Sequence, residues 1–260
     1  MVKALFFDID GTLVSFNTHE VPESTVRALE EVHEKGVFII IATGRHRKKI
    51  DNLGQLEDRG LIDGYISMNG AFCFVGKEVL YRHPIRSKDV ISMLSYGREF
   101  DITTVFTGED EIMVVNPTGV FKDAYYKELN ISPIGEASPE HVSGCRIYQM
   151  TSFLSPEMEK KVRINIPDCE FSRWNPAFVD INASGCTKST GMDIMCKYFG
   201  ISPAESVAFG DGGNDISIIK HAGTGIAMGQ AGDNVKRSAD YVTTSVDEDG
   251  ISNALKKLVL

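Results

Sequence analysis

The stretch Phe6-Phe7-Asp8-Ile9-Asp10-Gly11-Thr12 decides how this chain reads. An apolar run over 4–7 opens almost at the first residue and predicts a buried strand, and a Gly-Thr turn follows directly. The two carboxylates of Asp8 and Asp10 stand where that strand ends. Buried without compensation they would cost several kcal/mol, so they belong either around a cation or at the mouth of a sheet. Both alternatives put a site at the C-terminal end of this strand.

Outward from it the pattern alternates. A helical period over 22–35 places Val26, Leu29, Val32 and His33 on one face, and Gly36 stops it. The apolar, β-branched run 37–42 predicts a buried parallel strand, followed by a helix over roughly 48–57 and a short strand over 65–68. The same grammar returns late in the chain. Thr187 or Ser189 caps a helix reaching Tyr198 with Gly200 as its stop; then come strand 206–209, helix 215–221, strand 225–228, a helical turn 235–239, strand 240–243 and helix 250–258. Strand-helix alternation means βαβ units and a parallel sheet, the α/β class. Between these halves the pattern changes. Strands over 103–106, 112–115, 147–151 and 178–181, with helices over 88–100, 120–129 and 156–162, include strands that follow one another without a helix. That block reads as α+β with an antiparallel sheet. The expected organisation is a core of residues 1–81 and 183–260 with 82–182 inserted into it.

Composition excludes several classes. At 260 residues and 42% hydrophobic, the chain can build a full core. Its net charge of −9 argues against a nucleic-acid partner, and the short basic run Arg45-His46-Arg47-Lys48-Lys49 does not reverse that. The five cysteines are odd in number and lack C-x-x-C spacing, which fits free thiols in a reducing compartment. No signal-like opening and no stretch of about 18 apolar residues is present, so the expectation is a cytoplasmic protein without a membrane partner. The six histidines show no metal-ligand spacing, and Gly223-x-Gly225-x-x-x-Gly229 precedes a strand where a dinucleotide loop would follow one.

The strand ends of the outer block carry the chemistry. The first ends in Asp8-Ile9-Asp10, the second in Ala42-Thr43-Gly44-Arg45, and that over 206–209 in Gly210-Asp211-Gly212-Gly213-Asn214-Asp215; Lys188 opens the preceding helix. In a parallel sheet these ends share one edge, where ligands bind. Three acids (Asp8, Asp10, Asp211), one lysine and several glycines suit Mg²⁺ and a phosphoryl group, because Mg²⁺ takes one or two carboxylates and shares the rest with water and phosphate oxygen. Thr43 offers a hydroxyl, Gly44 a closely approached backbone N–H, and Lys188 a point charge for the transition state. Accelerations of phosphate monoester hydrolysis reach about 10²¹-fold, a demand of roughly 29 kcal/mol, so a covalent step on a carboxylate is expected.

These segments resemble the four motifs of haloacid dehalogenase-superfamily phosphatases, more narrowly the Cof-type sugar-phosphate phosphatases. Met68-Asn69-Gly70-Ala71 is similar to that subgroup's Asn-Gly-Ala element. The resemblance covers the whole chain and implies a Rossmann-like core with a large α/β cap inserted between the second and third motifs. One departure is Cys186-Thr187-Lys188-Ser189, where the subgroup usually reads Val-Ser-Lys-Gly.

The resemblance implies roles. Asp8 would form an aspartyl-phosphate. Asp10 would protonate the leaving alcohol and then deprotonate water. Mg²⁺ would be held by Asp8, the backbone carbonyl of Asp10 and Asp211, with Asp215 orienting metal waters or Lys188. Ile9 through its backbone N–H, Thr43, Gly44, Lys188 and Asn214 would hold the phosphate; Arg45 would touch phosphate or hold the cap closed. Arg173, Trp174, Asn175, Tyr148, Asp180 and Asn182 are candidates for a specificity pocket. The expected activity is hydrolysis of small phosphorylated metabolites, foremost hexose phosphates. The alternatives are a phosphomutase or phosphotransferase, a phosphatase of pyridoxal phosphate or nucleotides, and a phospho-Asp signalling module.

Overall fold

Strand β1 (Ala4–Phe7) is buried along its whole length, with parallel partners on both sides. In a computed structural model of the chain, residues 1–128 and 133–259 are described. Two compact units result: Met1–Arg82 with Thr187–Leu260, and His83–Cys186.

The first unit is α/β. After β1 come β2 (Phe38–Ala42), β3 (Gly64–Ser67), β4 (Phe72–Val75) and β5 (Glu78–Arg82). The second unit supplies β6 (Thr104–Thr107), β7 (Ile112–Val115), β8 (Gly135–Glu136), β9 (Gln149–Ser152), β10 (Cys169–Asn175) and β11 (Phe178–Ala183); the chain then returns with β12 (Ser206–Gly210), β13 (Thr224–Ala227) and β14 (Tyr241–Val242). The first sheet runs β14-β13-β12-β1-β2-β3-β4-β5, parallel from β14 to β3 and antiparallel beyond. Side chains alternate between its faces. Leu5, Phe7, Ile39, Ile41, Val207 and Phe209 pack under the helices Glu23–Glu34 and Gly250–Leu258, with Phe7 stacked on Phe209 at 4.7 Å. Ala4, Phe6, Ile40, Ala42, Ile66 and Ala208 face Met192, Met195 and Cys196 of the helix Lys188–Phe199.

The second unit is α+β. Its sheet order is β10-β11-β9-β6-β7-β8, antiparallel except for the short β7–β8 pair, with helices Ser87–Phe100, Pro139–Ser143 and Pro156–Asn165.

Two expected helices differ from the spacing. Over 48–57 only a turn at Arg47–Lys49 and a single turn Gly54–Glu57 form. The intervening chain wraps around the Arg45 guanidinium, whose Nη1 donates to the Lys49 carbonyl at 3.0 Å and to Asn52 Oδ1 at 3.3 Å. The helix expected over 120–129 is a turn at Gly119–Phe121 that widens over Lys122–Glu128, and Leu129 lies outside the described residues. No described helix is long and apolar enough to cross a membrane, and the described cysteines are free thiols.

Candidate active site

Register builds the site. Phe7 lies level with Phe209 of β12 and Ile41 of β2, so the residues that follow, Asp8, Gly210 and Ala42, emerge side by side. β1 is where the strand order reverses, which opens a crevice at the strand ends. Asp8 N–H donates to the Phe209 carbonyl at 3.2 Å and ties the two loops together. Gly11 has φ +80, and a Cβ there would lie 2.4 Å from Asp211 Oδ2; only glycine lets these loops approach. Thr12 Oγ1 donates to Asp211 Oδ1 at 3.0 Å.

Lys188 is the first residue of its helix. Thr187 and Thr190 cap that helix reciprocally, and Thr187 Oγ1 also lies 2.7 Å from Ser189 Oγ. The serine that replaces the subgroup's glycine is therefore accommodated in an ordinary first turn. A cation at a helix N-terminus opposes the dipole, and Lys188 is only 1% exposed. Two carboxylates offset both costs: Nζ donates to Asp8 Oδ1 and to Asp215 Oδ1, each at 2.5 Å. The other Asp215 oxygen accepts the backbone N–H of Asp211 at 3.0 Å and of Gly212 at 2.9 Å. Asp215 thus fixes both the lysine and the loop that carries Asp211.

Negative charge is in excess here. Burial, with Asp215, Asp211 and Asp10 adding repulsion, holds the Asp8 carboxyl well above the usual range although Lys188 pulls it down. Burial and the charge of Asp215 push Asp211 up to about 7, against the hydrogen bond from Thr12. Burial works against the Lys188 charge, but Asp215 and Asp8 outweigh it and raise its pKa. Ligand atoms of Asp8, Asp211 and Asp215 all lie within 4.8 Å of one another. An all-oxygen set with unneutralised charge fits a hard divalent cation.

Asp10 points elsewhere. Arg45 clasps its carboxylate with Nε at 2.8 Å and Nη2 at 2.6 Å, while Nη1 is occupied by Lys49 and Asn52. The structure thus groups Asp8, Asp211, Asp215 and Lys188, and pairs Asp10 with Arg45 beside them. Thr43 is buried, and its hydroxyl accepts the Arg45 N–H at 3.0 Å. The Ile9 side chain is fully buried in the core, which leaves only its main chain for a ligand.

Sequence spacing gave Asn69 no role of its own. The residues Met68, Asn69 and Gly70 all have positive φ (50, 54 and 96°), a strained turn of the kind that persists where surroundings enforce it. Asn69 Oδ1 accepts from Asn214 Nδ2 at 3.1 Å, and a Cβ on Gly44 would sit 3.3 Å from the Asn69 amide. Gly70 backs onto Thr187, where a Cβ would lie 2.1 Å from the carbonyl oxygen. One turn therefore touches the Thr43-Gly44 loop, the Asn214 loop and the cap of the Lys188 helix. Gly70→Ala should cost roughly 1–3 kcal/mol from conformation alone, with the clash in addition. Urea unfolding checks this, and native stability in the variant would remove the turn from the site's framework.

Arg173, Asn175, Tyr148, Asp180 and Asn182 each take part in hydrogen bonds within the second unit. Arg173 pairs with Glu159 and with the Leu154, Pro176 and Phe178 carbonyls; Asn175 Oδ1 accepts the Ala177 N–H. Tyr148 donates to Glu109, Thr151 to Asp180, and Asn182 to the Tyr148 carbonyl.

Known proteins resemble this chain over nearly its whole length. The family model described as haloacid dehalogenase-like hydrolase matches residues 5–255. The solved structure of BT4131, a subclass IIB sugar phosphatase of that superfamily, has a TM-score of 0.94 and 50% identity over 98% of each chain. BT1666 from Bacteroides thetaiotaomicron, a phosphatase of the superfamily, gives a TM-score of 0.91 and 33% identity over 99% of this chain and 95% of its own. Among curated relatives, the 5-amino-6-(5-phospho-D-ribitylamino)uracil phosphatase YcsE of Bacillus subtilis (strain 168) is 26% identical over 100% of this chain and 96% of its own.

Proposed function

The chain belongs to the haloacid dehalogenase-like hydrolases and is a phosphatase, and we propose that it hydrolyses small phosphomonoesters, sugar phosphates foremost, with Mg²⁺ as its metal and Asp8 as its nucleophile. The observation that carries this reading is the Lys188 ammonium bridging Asp8 and Asp215, with Asp211 alongside, at the strand-order reversal. The sugar preference rests on the likeness to BT4131, itself a sugar phosphatase.

In this proposal an Asp8 oxygen attacks phosphorus as the bond to the leaving alcohol breaks, and Asp10 gives that alcohol its proton. Water then loses a proton to Asp10 and displaces Asp8 from phosphorus, which releases phosphate. To reach the leaving oxygen, Asp10 must exchange its clasp with Arg45 for the substrate. Lys188, Thr43, Asn214 and the main chain at Ile9 and Gly44 hold the phosphate oxygens. Asp8, the Asp10 carbonyl and Asp211 would hold Mg²⁺, with Asp215 behind them; the ion would neutralise phosphate charge so that an anionic nucleophile can approach. All these residues lie in the first unit. Choice among phosphomonoesters is assigned to the inserted unit acting as a cap.

Phosphate release from a panel of phosphomonoesters, in ¹⁸O-labelled water with Mg²⁺, tests the reading. Label in the free phosphate is expected. Unlabelled product with the phosphoryl group passed to a sugar hydroxyl would make the chain a phosphotransferase.

Metal removal should leave a thermal signature. An unfolded Asp titrates near about 3.9, whereas folded, metal-free Asp211 is pushed to about 7. Between those values the folded chain holds a proton that the unfolded chain has lost. Stability from this group is therefore full below the lower value and is lost as pH rises through the upper one. With EDTA, Tm should decline across that window, and excess Mg²⁺ should reverse the decline at its alkaline end. A Tm indifferent to Mg²⁺ at the alkaline end would take the metal away from these carboxylates.

A further inference from the structure

Within the inserted unit, three chemically different ligand groups meet at the surface: the Glu111 carboxylate, the His141 imidazole and the Cys145 thiol. Glu111 immediately precedes β7. His141 lies in the helix Pro139–Ser143, and Cys145 follows two residues past its end, just after the Gly144 cap. The backbone positions them firmly. Glu111 is fixed by its carbonyl accepting the Gly108 N–H at 2.8 Å. β8 pairs with β7, Met113 opposite Gly135, and so delivers the helix beside Glu111. Ser138 caps that helix through the His141 N–H at 3.2 Å, Val142 anchors it in the core, and the Cys145 N–H donates to the Val142 carbonyl at 3.0 Å.

The separations are close to those of a coordination polyhedron, with the sulfur–imidazole edge a few tenths of an ångström long. His141 Nε2 lies 3.3 Å from Glu111 Oε2, Cys145 Sγ lies 3.3 Å from Glu111 Oε1, and Sγ lies 3.8 Å from Nε2. With Zn–S near 2.3 Å and Zn–N and Zn–O near 2.0–2.2 Å, a tetrahedral zinc site has ligand–ligand edges of about 3.3–3.6 Å. We propose that Glu111, His141 and Cys145 form a second metal site, for Zn²⁺ or a similar borderline-soft divalent cation, with water in the fourth position. One carboxylate and one thiolate neutralise the ion. Sulfur and imidazole select it away from the hard, all-oxygen set of Asp8, Asp211 and Asp215. The balance is simple: Cys145 loses its S–H proton to solvent as the sulfur–metal bond forms, the neutral imidazole gives the Nε2 lone pair, and Glu111 exchanges its hydrogen-bond partners for the ion. Both metal-contacting elements, the β7 entry and the helix, would then be stapled together. Histidine spacing alone could not reveal the site, because its partners are a cysteine four residues on, past the helix end, and a glutamate brought across by sheet pairing.

Cobalt titration of the full chain tests this, with thiols reduced and Mg²⁺ in excess to occupy the active-site carboxylates. A near-ultraviolet thiolate-to-cobalt charge-transfer band is expected to saturate at one equivalent and to be displaced by Zn²⁺. The oxygen ligands of the active site cannot produce that band. Cys145→Ser should abolish it, while His141→Ala and Glu111→Gln should each weaken binding by more than the roughly 10–100-fold that loss of an outer-shell partner costs. Mg²⁺-dependent phosphate release should be unchanged in Cys145→Ser, which separates this site from the proposed catalytic one. Absence of the band in the native chain, its survival in Cys145→Ser, or native affinity in both other variants would overturn the proposal.

Discussion

Asp8→Asn is expected to abolish phosphate release, by about 10⁴-fold or more in kcat, in a chain at least as stable as the native one. The two halves of this expectation come from the same geometry. Asp8 is buried beside Asp211 and Asp215, and its carboxyl is held well above the usual range by burial first and by those charges next. The ionised form is thus a cost to the fold, of the kind that reactive centres carry and that isosteric neutral replacements relieve. Asparagine keeps the shape and still offers Lys188 an acceptor, but its amide cannot form the bond to phosphorus. Turnover measured with Mg²⁺ on the best phosphomonoester, beside Tm, checks both halves. An acid-quenched mass measurement should also show a phosphoryl adduct on the native chain during turnover and none on Asp8→Asn. Turnover within tenfold of native would remove the covalent step, whatever the stability.

What was legible in the sequence, and what was not, divides along a physical line. β1, β2 and β12 announce themselves because a parallel strand buried on both faces must be apolar along its length, and their loops carry acids and glycines that a packing strand would avoid. The α/β class and the approach of the strand ends follow from that alternation. β4 and β5 escaped although both hold short apolar runs, Phe72–Val75 and Val79-Leu80-Tyr81: they pair antiparallel at the sheet edge, where the strand-helix alternation that marks the parallel strands stops. The helix expected over 48–57 failed for a different reason. Local periodicity cannot see Arg45 reaching forward to take the Lys49 carbonyl. The same blindness hid the Arg45–Asp10 clasp, and the contact from Asn214 to Asn69 across 145 residues of sequence. Strand-end chemistry is written locally, whereas the partners that hold each side chain are set by tertiary packing.

Lys188→Met should remove activity and much of the stability together, which distinguishes it sharply from Asp8→Asn. The lysine is buried and makes ion pairs at 2.5 Å to both Asp8 and Asp215. Methionine retains most of the apolar stem but leaves those carboxylates and Asp211 facing one another with no cation. Removing one partner of a buried pair costs roughly 3–5 kcal/mol, because the remaining charge is neither solvated nor matched. Transition-state charge would also lose a donor, a further loss of about 10²–10³-fold in kcat even where the chain stays folded. Urea unfolding in EDTA should show the full stability deficit, and excess Mg²⁺ should recover part of it, since a divalent ion can neutralise the same oxygens. Asp215→Asn should destabilise the native chain yet raise the stability of Lys188→Met, a non-additivity across the full cycle that arises only if the two residues act as one unit. Equal stability of the single variant and the native chain would mean that the carboxylates do not depend on the lysine. A buried ammonium would then not be what organises the phosphoryl site.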